Sequence, residues 1–186
     1  SGQEGDGFVD YDHQYGNLKL GTRDITRFTI DSSGRTLLGT GTVGDSTADD
    51  LTIETSGSTG ITLRSDAGYA GNISFSDGTS CADQYRGLIQ YHHNGDSMRF
   101  FTNATEKLRI LSTGQVTIGT TVEGQVSADE LTLSGSGSVG MTIRSTNSTE
   151  SNIFMSDATT GNGEYAGWIK FKHNTTPNRW EFGAVN

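Results

Sequence analysis

The sequence is poor in the residues that usually close a small fold. Of its 186 residues one is cysteine and one is proline. Cys81 alone excludes an intramolecular disulfide framework, and without a second Cys or a Cys/His cluster there is no zinc-site signature. Leu, Ile, Val and Phe together make up about a fifth of the chain, close to the level below which a highly charged sequence is expected to stay disordered. The core of a lone protomer is therefore expected to be thin. No run of 18 apolar residues occurs, and the opening SGQEGDG carries neither a basic nor an apolar region, so neither membrane insertion nor a signal peptide is expected. Cations are scarce as well. Against 13 Lys and Arg stand 22 Asp and Glu, a net charge of -9 that argues against nucleic acid as a partner and favours solubility.

What is abundant is Ser, Thr and Gly, about two-fifths of the chain, and these residues recur in order. KLRILSTGQVTIGTT from Lys107 repeats RFTIDSSGRTLLGTG from Arg27, with Ile110 on Ile30, Gly114 on Gly34 and Gly119 on Gly39. The offset of 80 is expected to hold without a gap, pairing Tyr91 with Tyr11, His93 with His13, Ile73 with Ile153, Tyr85 with Tyr165 and Asn94 with Asn174. With a unit starting at Asp49, residues 1–48 form the end of a first copy, 49–128 a complete copy and 129–186 a truncated third. Both ends fall inside a unit, so a piece of a longer repetitive protein is expected.

Within a unit the period is two. LTIET and ITLRS flank SGSTG and read as a hairpin; NISFSD, GLIQYHH, KLRIL and QVTIG alternate apolar with polar residues in the same way. About seven short strands per unit are expected, with no helix, so the fold class is all-β. The link ending in Gly114 suits a hairpin whose last loop residue has positive φ. Along residues 87–93 the odd positions Ile89, Tyr91 and His93 match Val9, Tyr11, His13 and Ile169, Phe171, His173, whereas the even positions change among Leu, Gln, His, Phe, Asp, Trp and Lys. The odd face is expected to be buried and the even face wet. Short strands rich in Ser and Thr leave open edges, and a thin apolar stripe is most easily covered by identical neighbours stacked into a rod.

NISFSDGTS followed by YRGLIQYHHNGDSMRFFTNATEKLRILSTGQVTIGT resembles the repeats of bacteriophage tail fibres and tail spikes, marine phages and cyanophages above all, of the kind that precede an intramolecular chaperone domain. The resemblance covers most of one unit and extends to all three copies. It implies an elongated β-rich homotrimer, intertwined or side by side, in a virion appendage outside the host cell whose business is attachment. The alternatives are a carbohydrate-active spike segment and a bacterial surface adhesin repeat. The third copy departs from the pattern at TTPNRWEFGAVN, and no chaperone domain is present, so self-cleavage is not implied.

For contact with a host glycan or protein receptor the candidates are Tyr69, Gln84, Tyr85, Tyr165, Trp168 and Trp180, aromatic or amide side chains in variable stretches such as DAGYAG (66–71) and CADQ (81–84). Trp168 takes the place of Leu88 and Phe8, and Trp180 that of Phe100 and Leu20, exchanges that packing alone permits. For the interface between protomers the candidates are Ile89, Tyr91, His93, Ile169, Phe171 and His173. The recurring His reads as a hydrogen-bonding interface residue in preference to a metal ligand. Asp77 and Asp157 recur, but Asp77 in SDGT is expected to hold turn amides, and no pair of carboxylates stands out as glycosidase machinery. No catalytic residue, metal or cofactor is expected, and the chain is read as a non-enzyme.

Overall fold

A computed structural model of the chain describes residues 7–39, 41–173 and 176–184, so Asn174, the expected counterpart of Asn94, lies outside the described residues. The chain divides into two compact units, residues 1–64 and 65–186. It is all-β, with 14 strands in three sheets.

The first unit holds one sheet of five strands in chain order: β1 (Gly7–Asp12), β2 (Asn17–Thr22), β3 (Ile25–Ile30), β4 (Thr36–Leu38) and β5 (Leu51–Ile53). The second holds a sheet of β6 (Ala70–Phe75), β7 (Gly87–His92), β8 (Ser97–Thr102), β9 (Thr105–Ile110), β10 (Val116–Ile118) and β11 (Leu131–Leu133), and another of β12 (Glu150–Met155), β13 (Gly167–Lys172) and β14 (Arg179–Ala184). Two 3-10 turns, Cys81–Tyr85 and Gly161–Tyr165, follow β6 and β12. The sequence reads the first of these as a plain loop; two central residues of each are polar and no apolar period marks it.

Strand pairing recurs at an offset of 80. Val9↔Leu20 and Leu20↔Phe28 in the first sheet become Ile89↔Phe100 and Phe100↔Leu108 in the second. A bulge at Arg27 recurs at Lys107, and in each case the bulged carbonyl accepts a backbone hydrogen bond, from Gly39 N and Gly119 N at 2.9 Å. The β9–β10 link closes where Leu111 N donates to the Gln115 carbonyl at 2.9 Å, leaving Ser112, Thr113 and Gly114 in the loop, with Gly114 at φ +99° as expected from sequence.

Three expectations fail. LTIET and ITLRS do not form a hairpin: β5 pairs in parallel with β4, and residues 61–63 belong to no strand. The same holds for β11 on β10 and for residues 141–143. The reason is register. Leu38↔Ile53 and Thr36↔Leu51 extend the apolar face of the sheet across β4, while Thr55 Oγ1, bonded to the carbonyls of Gly57 and Ser58, turns the chain locally and leaves no two-residue hairpin turn. The long connection from Gly39 to Asp50 provides the crossover that a parallel pair needs. Residues 49–128 accordingly hold six strands, not about seven.

The offset of 80 also breaks near the C-terminus. The β7–β8 connection spans residues 93–96, whereas β13 and β14 are joined by residues 173–178, two more. Trp180 therefore pairs with Phe171 and stands where Met98 and Leu18 stand; Phe182, facing Ile169, takes the place of Phe100 and Leu20. A shift of two keeps every side chain on its face. Finally, the Asp77 carboxylate holds no turn amide but accepts from Arg86 Nε at 3.3 Å; the Ser76 hydroxyl ties the turn, bonding the carbonyls of Gly78 (2.6 Å) and Asp83 (2.9 Å).

Two glycines separate backbone strain from close approach. Gly114 faces open space, whereas a Cβ on Gly119, at φ +75°, would strike the Ser134 carbonyl of the neighbouring parallel strand end. Gly114→Ala is expected to cost about 1–2 kcal/mol from the left-handed backbone alone, and Gly119→Ala distinctly more. Denaturant unfolding of the two variants checks this; equal losses would mean that the approach to Ser134 does not matter.

Candidate functional site

Alternation and register together sort each sheet into two unlike faces. In the six-stranded sheet one rung runs Ile73, Ile89, Phe100, Leu108, Ile118, Leu133 and the next runs Tyr91, Met98, Ile110, Val116, Leu131, each residue directly opposite the next. The first sheet repeats this with Val9, Leu20, Phe28, Leu38 and Ile53. The three-stranded sheet does so with Ile153, Ile169 and Phe182, beside Phe171 and Trp180. Cross-strand contact of this kind stabilises a sheet, yet leaves the outer side of each rung bare.

The opposite face is largely polar, and its charged side chains are mostly held by local bonds, while the buried oxygens of Thr117, Thr132 and Asn152 have no hydrogen-bond partner among the described residues. Across β8 and β9 the like charges Arg99 and Arg109 face each other, and Glu106 offsets them by taking both Nε (2.7 Å) and Nη2 (2.8 Å) of Arg109. Arg99 Nε donates to Ser97 Oγ at 2.9 Å. In the first sheet Arg35 bridges Asp31 in the β3–β4 turn to Asp49 ahead of β5, donating Nη1 to Asp49 at 2.8 Å. Asp31 also accepts from the amides of Ser33 and Arg35, and Asp12 from those of Gln14 and Tyr15.

The expected burial of the odd face is not met within the chain. Ile89 is 36% exposed and Tyr91 39%, while Leu88, on the polar side, is 9% exposed. Only Leu37 and Leu88 are buried apolar side chains among the described residues. Strands make their principal contacts with hydrogen-bonded neighbours, and β6 and β12 with the 3-10 turns that follow them, so among the described residues no second sheet packs on the apolar rungs.

The recurring histidines sit at the ends of these rungs. His13, His93 and His173 each stand edge-on to the aromatic ring two residues earlier, at 4.8 Å from Tyr11, 5.1 Å from Tyr91 and 4.8 Å from Phe171. Burial, and then the Asp96 carboxylate 3.2 Å from its hydroxyl, push the Tyr91 phenol above its usual range. No group of three His, Cys, Asp or Glu able to hold a metal ion occurs among the described residues. At the third position a concave site of about 390 Å³ opens on the apolar face, lined by Ile153, Ile169, Phe171 and Trp180 and walled by Met141 and Ile143. Ser151 Oγ lies there 3.4 Å from His173 Nε2, but it donates to the Ile143 carbonyl at 3.2 Å, and its counterpart in the preceding copy is Gly71, so a nucleophile–base pair does not recur with the histidine.

The candidate receptor contacts fall in separate places. Gln84 and Tyr85 share one cleft on the polar side with Asn72 and Gln90. Trp168 lies on the matching side of β13, where Lys170 sits over its ring, and Phe154 on the same side meets Tyr165 edge-on at 6.3 Å. Trp180 is on the other face, against Phe171, so it does not join Tyr165 and Trp168. Tyr69 is exposed in the turn before β6, away from these groups. Sequence reasoning missed Asn72 and Gln90, although their even spacing with Ser74 and Leu88 already placed each pair on one side of its strand. No protein-family model and no curated protein sequence matches this chain.

The ionised carboxylates make acid stability predictable in sign. Lys19 holds Asp12 below its ordinary value, Arg35 does so for Asp31, the Thr47 hydroxyl for Asp45, and Lys172 then Arg179 for Glu181. A folded-state value below the unfolded one means the stabilisation is complete above the unfolded value and is lost as pH falls through the folded one. The melting temperature should stay level from about pH 7 to 5 and fall below about pH 4. Combining Asp12→Asn with Asp31→Asn should flatten part of that acid-side fall; an unchanged slope would show that these two carboxylates carry none of it.

Proposed function

We propose that the chain is a non-enzymatic shaft segment of a phage tail fibre, a repetitive short-stranded β array that works as a homotrimer outside the host cell and presents its polar faces to the host surface. One observation carries the reading: apolar rungs cross all three sheets and, among the described residues, no second sheet packs over them.

The occupant that fits is another copy of the same chain. Each copy brings the same rungs at the same spacing, so a cyclic arrangement covers all of them with one kind of contact. Apolar rungs facing apolar rungs leave the charged sides, and with them the excess of acid, in water. The resemblance of the NISFSDGTS and YRGLIQYHHNG stretches to tail-fibre repeats supplies the number three and the attachment role. One member of each recurring carboxylate pair is held by an arginine, Asp49 by Arg35 and Asp77 by Arg86, which fits a structural use of these two groups.

Light scattering on the purified chain tests this directly. The expected mass is about three times 19.8 kDa, and a clean monomer would overturn the reading. Ile89→Asp, which places a charge in the middle of a rung that loses water on assembly, should lower the mass toward that of the single chain. Because Ile89 is already exposed in one chain, the β content by circular dichroism should change little. Gln90→Glu, one residue along and on the other side of β7, should leave the mass alone. An assembly indifferent to Ile89→Asp would remove this face from the interface.

A further inference from the structure

Among the differences between the copies on the polar face, one changes where the bulk lies across a strand pair. In the first sheet the ring of Phe8 on β1 lies over Gly21 on β2, and in the third the ring of Trp168 on β13 lies over Gly183 on β14; a Cβ on either glycine would enter the ring. At the matching pair on β7 and β8 the large and small residues are exchanged, with Leu88 opposite Phe101. The effect is a floor of Leu88 and Phe101 under an open cleft of about 440 Å³, within the range of about 300–1,000 Å³ typical of small-molecule sites.

The walls carry no formal charge. Three amides, Asn72, Gln84 and Gln90, reach it from β6, the 3-10 turn and β7, and Ser74 and Tyr85 add hydroxyls. Internal bonds fix the amides: Gln90 Nε2 donates to Asn72 Oδ1 at 2.9 Å, and Gln84 Nε2 to the Thr79 carbonyl at 2.7 Å. Each bond uses one donor or acceptor of its amide and leaves the others. Neither the Tyr85 hydroxyl nor the Ser74 hydroxyl has a hydrogen-bond partner among the described residues. The nearest cations lie outside the lining: Arg86 is held by Asp77, Asp83 and Asn103, and Arg99, opposite Gln90 on β8, donates Nε to the Ser97 hydroxyl.

From this geometry we infer that the cleft of Asn72, Ser74, Gln84, Tyr85, Gln90 and Phe101 binds an uncharged pyranose of a surface glycan. Planar amides offer a donor and an acceptor in one plane, which suits a pair of neighbouring hydroxyls, while the rings and Leu88 receive the C–H side of the sugar. The residues that line the cleft offer an anion no cation and a cation no carboxylate. In the third copy the corresponding place is occupied from within: Lys170, in the position of Gln90, sits 5.1 Å from the Trp168 ring and 5.3 Å from that of Phe154. In the first copy that position is Asp10. Neutral recognition is thus confined to the middle copy. The inference rests on the attachment reading for its biological role alone; the cleft lies opposite the apolar rungs, so trimer formation leaves it open.

The test is nuclear magnetic resonance on the full ¹⁵N-labelled chain, following the side-chain amide signals of Asn72, Gln84 and Gln90. The probes are glucose, galactose, mannose and N-acetylglucosamine, with the acyclic alcohol sorbitol as control. At least one pyranose should shift these signals saturably with millimolar affinity, and sorbitol should not. Gln90→Leu and Tyr85→Ala should each weaken the binding about tenfold or more. Gln84→Met, on an exposed turn, provides a variant whose folding is not at stake, and the backbone spectrum reports folding for the others. No shift with any pyranose, an equal shift with sorbitol, or shifts that persist in all three variants would overturn the inference. Light scattering on the same sample separates the two ideas. A trimer whose amides ignore every sugar sinks the cleft alone, and a monomer whose amides respond sinks the assembly alone.

Discussion

The structure depends on an apolar face that no element of the chain covers. A half-buried sheet normally finds a helix or second sheet for its greasy side, because non-polar area left in water forgoes about 25 cal/mol for every Å². Here strands follow one another as antiparallel neighbours with short links, and the long connections are used to bring β5 and β11 into parallel pairing at the sheet edge. The crossover chain contributes few large apolar side chains. Most of what a single copy gains therefore comes from rungs within the sheet, and in the proposed assembly the larger gain, cover for the rungs, would come from a second molecule.

The alternation that defines this face was plain in the sequence. Ile89, Tyr91 and their counterparts hold one side of β7 through every copy, and the strand pattern follows from such pairs at a period of two. Pairing was less legible. Nothing in the residues 51–53 and 61–63 distinguishes two halves of a hairpin from a parallel strand followed by coil; the choice is made by β4, whose Leu38 and Thr36 stand opposite Ile53 and Leu51. The two-residue lengthening before β14 was hidden for a related reason. Trp180 is as plausible a replacement for Phe100 as for Met98, and only the hydrogen-bonded register separates them. Because the lengthening is even, the mistaken alignment still put Trp180 on the correct face.

Calling one face buried required a further step that periodicity does not contain. Constant composition shows that a surface is constrained, not by what. Within the chain Leu88, on the variable side, is better covered than Ile89, because Phe101 and the 3-10 turn after β6 crowd it. The constraint on Ile89 and Tyr91 has to act elsewhere, and the edge-on His rings at 13, 93 and 173 mark the same boundary, each closing the apolar rung against a polar strand end.

The two faces answer to different demands, and this is what lets a repeat both assemble and vary. In the proposed symmetric assembly a substitution on the apolar face would be met by every copy at once, and that face is mostly Ile, Val, Leu and aromatic residues, with Met98 and Thr36 among the exceptions. On the polar face a change meets only its neighbours in the sheet. There Asp10, Gln90 and Lys170 occupy one position, and Phe8/Gly21, Leu88/Phe101 and Trp168/Gly183 exchange bulk across the same strand pair without disturbing the backbone. The same hydrogen-bonded frame can thus carry a closed aromatic patch, an internally occupied lysine site or an open amide cleft. Under the proposed assembly, side-chain chemistry is free to change from copy to copy on the polar face because that side of the strand would take no part in holding the molecules together.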